Sequence, residues 1–405
     1  MTRREPPLAG ALSLLLPSPS QTLLLRSALL PQHRALSALE SWQAGVDDPV
    51  AAFAARDTGG RRLAPLIARN LGDNGQNIDS ELMTYLRTAA MREELRAREY
   101  RKICHGVLAS LTEAGLHVIA LKGAALAESV YPSPALRHSH DIDLLICEEE
   151  LELAESVTAG IGFQRVVPSQ PSYIASRHYI HDSGLPLDLH PGLFTVGPYN
   201  EVEAGARDRA EPCIILSVSV YQLCPADQLL HVCAHAATGW QRSTLAWACD
   251  AWLVMNAAPD LDWDVLVESS RQGQMSLPLY VTLSYLAHEL EAPIPPDRLE
   301  QLRGQAMRTG RVTREVALFG AWAGPSAKLP RALRASSRWR DKALIAGWRL
   351  VPSPASVAAA GRIRSQSGWP LWYLGRPFRL LARRLRSLAG RDGAAGKSDG
   401  GSSPG

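Results

Sequence analysis

The chain has little cysteine and no cysteine pattern that would give it structural work. Its six cysteines, at positions 104, 147, 213, 224, 233 and 249, include no CxxC pair and build no dense framework. That spacing argues against a cysteine-based zinc site and a disulfide-stapled scaffold, and fits a reduced, cytoplasmic setting. Long apolar runs are missing as well. No stretch of 18 apolar residues occurs, so the sequence predicts no membrane-spanning helix. The start, Met1-Thr2-Arg3-Arg4 followed by Leu8 to Leu16, imitates a secretory leader but has no small-x-small cleavage site. Pro17-Ser18-Pro19-Ser20 reads instead as the lead-in to a helix. Three enzyme signatures are absent: a Gly-x-x-x-x-Gly-Lys-Ser/Thr phosphate loop, a Gly-x-Gly-x-x-Gly after a strand, and a Gly-x-Ser-x-Gly elbow. There is no internal repeat.

With 405 residues and 46% hydrophobic content, the chain can bury a sizeable core in two or three units. Its net charge of +3 hides an asymmetry. Residues 331 to 391 carry fourteen Arg or Lys against one acid, Asp341, for a net +13, whereas residues 1 to 330 carry a net −9. The acidic and basic parts are therefore expected to have different partners.

The pattern is helical from Gln21 to about Gly115, with Leu23, Leu24, Leu29, Leu30, Leu36 and Leu39 at helix-like spacings. A second helical stretch runs from Ser80 to Leu111, after a loop marked by Asp73, Gly75 and Asn77. The grammar changes at Gly115. His117 to Leu121 is a short apolar strand, and Lys122-Gly123-Ala124-Ala125 turns out of it into a helix ending near Tyr131-Pro132. Asp141 to Cys147 reads as the next strand and Glu148 to Ala159 as a helix. Tyr179 to Asp182 and Leu185 to His190 read as a hairpin around Ser183-Gly184. After Cys224-Pro225 the chain returns to helix, to about Leu350, and its Gly- and Ser-rich end is expected to be disordered. The divisions are an N-terminal helical region (1–111), a small α/β unit within 112–222, a C-terminal helical region (223–350), a basic amphipathic segment (351–389) and a tail (390–405).

Asp141 and Asp143 carry most of the functional information. Two carboxylates one residue apart on a strand point to the same face, while Ile142 and Leu144 point to the other. Side by side they repel unless a cation sits between them, which suits a hard divalent ion such as Mg²⁺.

With these residues the chain resembles the nucleotidyltransferase (polymerase beta-like) superfamily, specifically its bacterial family of uncharacterised nucleotidyltransferases. The matching stretches are Leu121 to Ala127, Tyr131-Pro132, Arg137 before Asp141-Ile142-Asp143-Leu144-Leu145, and Leu187-Asp188-Leu189-His190. A looser match, including Asp227-Gln228-Leu229-Leu230 and His235, extends over most of residues 20 to 350. The resemblance implies an α+β fold, with a small mixed-sheet catalytic domain between helical regions. It implies metal-dependent transfer of a nucleoside monophosphate from a triphosphate such as ATP to an acceptor. Carried over, Asp141, Asp143 and Asp188 would be catalytic and would hold two Mg²⁺ ions. Lys122 and Gly123 fall where the superfamily usually has a Gly-Ser pair at a strand-to-helix turn, and would contact phosphate. Two departures stand out: Ala124 replaces a serine, and Gly123 lies 18 residues before Asp141, a longer gap than the common pattern. Arg137 is expected to anchor a phosphate or a loop, and His190 either to orient Asp188 or touch substrate, or to pack as a strand-end histidine.

The remaining candidates have blander readings. His138 and His140 read as solvated loop histidines. His231 and His235 have the spacing of some metal sites, but the run His231-Val232-Cys233-Ala234-His235 lacks the glutamate of HExxH and reads as packing. Trp240, Trp247 and Trp252 read as helix packing. In 369–389, Phe378, Leu381, Leu385 and Leu388 follow helical spacing among five arginines, suiting a peripheral membrane surface, a nucleic-acid or partner contact, or, as the favoured reading, docking on the acidic body itself; the segment does not indicate a nucleic-acid acceptor. The acceptor, whether a small molecule, a peptide or a protein, is not legible. The competing expectation is a catalytically inactive nucleotide-binding or interaction protein of a biosynthetic complex.

Overall fold

The computed structural model of the chain describes residues 5–308 apart from 14–15, 56–58, 73–77, 167–176, 195–199 and 239–244, together with residues 310, 339–340 and 342–343. The expectations for segment 351–389, for the tail 390–405 and for Trp240 lie outside the described residues.

Helix formation at the N-terminal end follows from its caps. Helix α2 (Pro19–Leu29), after the short α1 (Ala9–Leu12), starts in a capping box: Ser18 accepts from the Gln21 backbone N–H and the Gln21 side chain accepts from that of Ser18. Helices α3 (Gln32–Gln43), α4 (Pro49–Ala54) and α5 (Ala64–Leu71) follow. Helix α6 (Ser80–Glu113) runs for 34 residues, about 50 Å at the usual helical rise. Asp79 caps its start by accepting from Leu82 N–H. Gly115, at φ +81°, ends it, and the Leu116 N–H reaches back to the Leu111 carbonyl.

Two apolar cores lie along α6. Leu82, Met83 and Leu86 join a helical core containing Leu24, Leu39, Phe53 and Ile67 from one end of the chain and Leu229, Leu277, Leu283 and Leu302 from the other. The last four belong to α10 (Pro225–Thr238), α13 (Ser276–Leu290) and α14 (Pro296–Met307). Trp247 and Trp252 pack against this core. Farther along α6, Tyr100, Cys104, Val107, Leu108 and Leu111 press on a sheet. A fully buried side chain of this size stabilises by roughly 1.5–3 kcal/mol, so α6 is tied to both bodies by many such contacts.

The sheet has seven strands: β1 (Ile119–Leu121), β2 (Ile142–Leu145), β3 (Phe163–Arg165), β4 (Arg177–His181), β5 (Pro186–His190), β6 (Glu211–Ile215) and β7 (Val218–Gln222). Their order is β3-β4-β5-β2-β1-β7-β6. Pairings β1–β7 and β2–β5 are parallel and the rest antiparallel. The chain is thus α+β with a mixed sheet. Alternation assigns the faces. Ile142, Leu144, Tyr179, Leu187 and Leu189 face the core beneath α6 and α8 (Leu151–Gly160). Asp143, Asp188, His190 and His178 stand on the other face, beside a small cluster of Ile119, Leu121, Leu145, Leu193 and Ala206.

The β6–β7 hairpin and β3 have no counterpart in the sequence reading. The hairpin turns at Leu216 and Ser217, both with positive φ (51° and 66°), a conformation normally signalled by Asn-Gly or Gly. Here His105 of α6 holds the turn instead, its Nδ1 lying 2.9 Å from the Leu216 carbonyl. A local turn signal was replaced by a tertiary contact.

One buried ion pair fastens the loop before β2 to the helical body. Arg137 donates from Nε and Nη2 to the two oxygens of Asp250, 2.8 Å each, and Tyr131 Oη adds a bond of 2.7 Å to Oδ1. Asp250 lies on α11 (Ala246–Ala257). Removing one partner of such a pair leaves an uncompensated buried charge. Asp250→Ala is therefore expected to destabilise the protein by about 3–5 kcal/mol. Urea unfolding measures this, and a loss below about 1 kcal/mol, the size of a surface pair, would contradict the assigned role.

Candidate active site

β1 ends at Leu121 and helix α7 (Lys122–Ser129) starts at the next residue. The join is abrupt. Lys122 adopts φ +42°, a left-handed conformation that favours glycine and costs a side-chain-bearing residue on the order of 1–3 kcal/mol. The sharp turn sends the Lys122 ammonium back over the sheet, where Nζ lies 2.7 Å from Asp143 Oδ1. Strand pairing explains the encounter, since Leu121 is directly opposite Asp143.

Asp143 is 1% exposed. Burial opposes its ionisation, but Lys122 and His190 overcome that and hold the carboxyl well below its usual range. His190 Nε2 is 2.7 Å from the same Oδ1. His190 thus bonds Asp143, two residues from its own register partner Leu145, as well as lying beside Asp188. Asp188 is the parallel-register partner of Asp143, so β2 and β5 bring two distant acids together. One ligand atom each from Asp143, Asp188 and His190 lies within 4.8 Å of the others, the grouping among the described residues able to hold a metal ion.

Asp141 stands apart from that group. It precedes the first ladder residue of β2, and its Oδ2 lies 3.4 Å from His140 Nε2. Burial, with the Asp143 charge adding to it and Lys122 opposing, pushes its carboxyl up to about 6. The repulsion between two neighbouring acids is therefore met inside the protein. Lys122 neutralises one, and the other holds its proton more tightly.

Arg137 is buried in its pair with Asp250, an arrangement that suits the loop-anchor reading. At Gly123 a Cβ would lie 2.6 Å from Arg137 Nη1 and 2.7 Å from Ser139 Oγ. Its missing side chain makes room for that loop. The loop itself is well tied. Ser139 is buried, its carbonyl accepts from Arg96 Nη1 at 2.6 Å, and Tyr100 Oη donates to the Asp141 carbonyl at 3.1 Å. His138 is bonded to Glu93 at 2.9 Å instead of being solvated, and burial pulls His140 down to about 4.

Sequence reasoning missed Arg62 and His178. Half-buried Arg62 comes from the helical body; burial lowers its pKa, with Asp141 the strongest opposing influence. His178 is the antiparallel partner of Asp188, with Nδ1 2.7 Å from Asp188 Oδ1. Alternation with buried Tyr179 signals its face, but only the register gives its partner. His231 is buried edge-on against Phe194, with ring centroids 5.8 Å apart, consistent with packing.

The family described as uncharacterised nucleotidyltransferase matches residues 59–291, a span that holds every residue of this site. No curated protein matches the chain. Among solved structures, the solution structure of the antibiotic-resistance factor ANT(2'')-Ia is similar at 14% identity, covering 51% of this chain and 90% of that one. Its TM-score is 0.28, too low to support an argument.

The Asp141 shift has a sign that can be checked. A carboxyl that binds its proton more tightly when folded stabilises the fold at low pH, and that contribution is lost as pH rises from about 4 to about 6. Asp141→Asn is expected to raise the stability of metal-free protein at pH 7.5 by on the order of 2 kcal/mol and to leave it nearly unchanged at pH 4. Equal effects at both pH values in chemical denaturation would contradict the assignment.

Proposed function

The chain belongs to the family of uncharacterised nucleotidyltransferases, and from that membership we propose that it moves a nucleoside monophosphate from a nucleoside triphosphate to an acceptor nucleophile with the help of divalent cations. The observation that carries the reading is the in-register pairing of Asp143 with Asp188 one strand away from the Lys122 turn.

The donor set fits a hard divalent ion. Asp143 and Asp188 would hold it through oxygen. His190 serves by holding Asp143; as a direct ligand its imidazole would favour Mn²⁺ or Zn²⁺ over Mg²⁺. When bound, such cations supply charge stabilisation to the attacking and leaving oxygens of an in-line displacement.

The chain's own groups account for the rest. The triphosphate lies against the turn between β1 and α7, where the Lys122 ammonium and the positive end of the helix favour anions. The acceptor oxygen forms its bond to the α-phosphorus as the bond to the bridging oxygen breaks, and pyrophosphate leaves with that electron pair. Lys122 neutralises the leaving group, and Asp188 takes the acceptor's proton. Exposure differs along the row in a way that suits these roles: the Asp143 side chain is 1% exposed, while that of Asp188 is 21% exposed and open to an incoming nucleophile.

A second reading rests on the Lys122–Asp143 ion pair, which neutralises the most buried acid without any metal. On that reading the site binds nucleotide and does not turn over, and the protein acts as a binding partner in a larger assembly.

Release of pyrophosphate and labelling of product from α-labelled triphosphate separates the two readings. The expected result is transfer that stops with EDTA and falls at least about a hundredfold in Asp143→Asn and Asp188→Asn, as when one preorganised electrostatic contact is lost. Circular dichroism checks that the fold persists. Undiminished transfer by both variants would refute the enzymatic reading, and tight triphosphate binding without turnover would favour the second.

A further inference from the structure

Across the sheet the polar groups of the site form a row. Lys122 follows β1, Asp143 is on β2, Asp188 on β5 and His178 on β4, in the lateral order of the strands. At about 4.8 Å per strand the row spans roughly 15 Å. Lys122 ends it on one side and His178 on the other.

The hydrogen bonds along this row follow one rule. Lys122 Nζ and His190 Nε2 both meet Asp143 at Oδ1, and His178 Nδ1 meets Asp188 at Oδ1, each at 2.7 Å. Each carboxylate is gripped by one oxygen, which fixes the direction of the other. The carboxylate only accepts, so Nδ1 of His178 carries the hydrogen. The grip depends on direct cross-strand register, since His178 and Asp188 are opposite one another on antiparallel strands. The ring is not buried filler: its side chain is 34% exposed, while the hydrophobic anchor of β4 is Tyr179, 1% exposed on the opposite face. Packing thus gives no reason for a histidine here, and the bond to Asp188 does.

We propose that His178 is a positioning residue of the cation site, donating its Nδ1–H to Asp188 so that the second carboxylate oxygen is presented to the ion. The proposal rests on the reading of Asp143 and Asp188 as cation ligands. A group that orients a ligand acts on affinity more than on stability, and its loss typically weakens metal binding about 10–100-fold.

The test is Mn²⁺ binding to the full chain, followed by the electron paramagnetic resonance of free Mn²⁺, for wild type, Asp188→Asn, His178→Phe and His178→Asn. Phenylalanine keeps the ring and removes the donor; asparagine places an amide N–H near the position of Nδ1. The expected result is affinity about 10–100-fold weaker in His178→Phe and restored to within about threefold of wild type in His178→Asn, with the melting temperatures of the metal-free variants unchanged. Wild-type affinity in His178→Phe alongside loss in Asp188→Asn would overturn this proposal and leave the cation site standing. Equal loss in the Phe and Asn variants would overturn the donor role. No Mn²⁺ binding by the wild type would remove the cation site itself, and this proposal with it.

Discussion

Asp143 is a carboxylate with almost no contact with water, and it stays ionised because Lys122 and His190 both bond to one of its oxygens. A buried charge without such partners would take up a proton or unfold the region around it. Much of the local architecture can be understood as meeting this requirement. β1 is three residues long and breaks straight into α7 at a lysine in a left-handed conformation, which delivers the ammonium. β5 lies parallel to β2 in a register that sets Asp188 opposite Asp143 and His190 opposite Leu145, on the same face, which delivers the imidazole. The anchored loop from Arg137 to Asp141 then fixes where β2 starts.

The same arrangement explains how a site rich in acids persists in a protein that must also fold without ligands. Its two nearest acids are treated differently: Asp143 is neutralised by a fixed cation, and Asp141 is pushed towards its protonated form. On the proposed function, a bound divalent ion with its triphosphate would reverse both devices and release the Lys122 ammonium towards the phosphates. On this account Lys122 has two partners in turn, one acid and one anion. The backbone strain at Lys122 is in keeping with a side chain held for a purpose.

The pairing of Asp143 with Asp188 on one face of the sheet was legible because alternation on short apolar strands is a local signal, as was the helix break at Gly115 with its positive φ, whereas Asp141 lies before β2 and outside the grouping of Asp143, Asp188 and His190. The roles of Arg137, Gly123 and His190 needed the tertiary structure. Arg137 meets an aspartate 113 residues away, Gly123 yields space to a loop that follows it, and His190 reaches across to β2. His178 stayed hidden because its partner is set by strand register, and the β6–β7 hairpin because a histidine on α6 steadies a turn that lacks its usual glycine. The helices before β1 and those after β7 share one core, a union of distant segments that periodicity alone does not disclose.

The most direct test of this account is the anomalous diffraction from a crystal of the full chain grown with Mn²⁺ and a non-hydrolysable triphosphate analogue. The account predicts a manganese peak touching both Asp143 and Asp188, with Lys122 Nζ moved from Asp143 onto a phosphate oxygen. Manganese bound elsewhere, or Lys122 still paired with Asp143 beside a bound triphosphate, would contradict it.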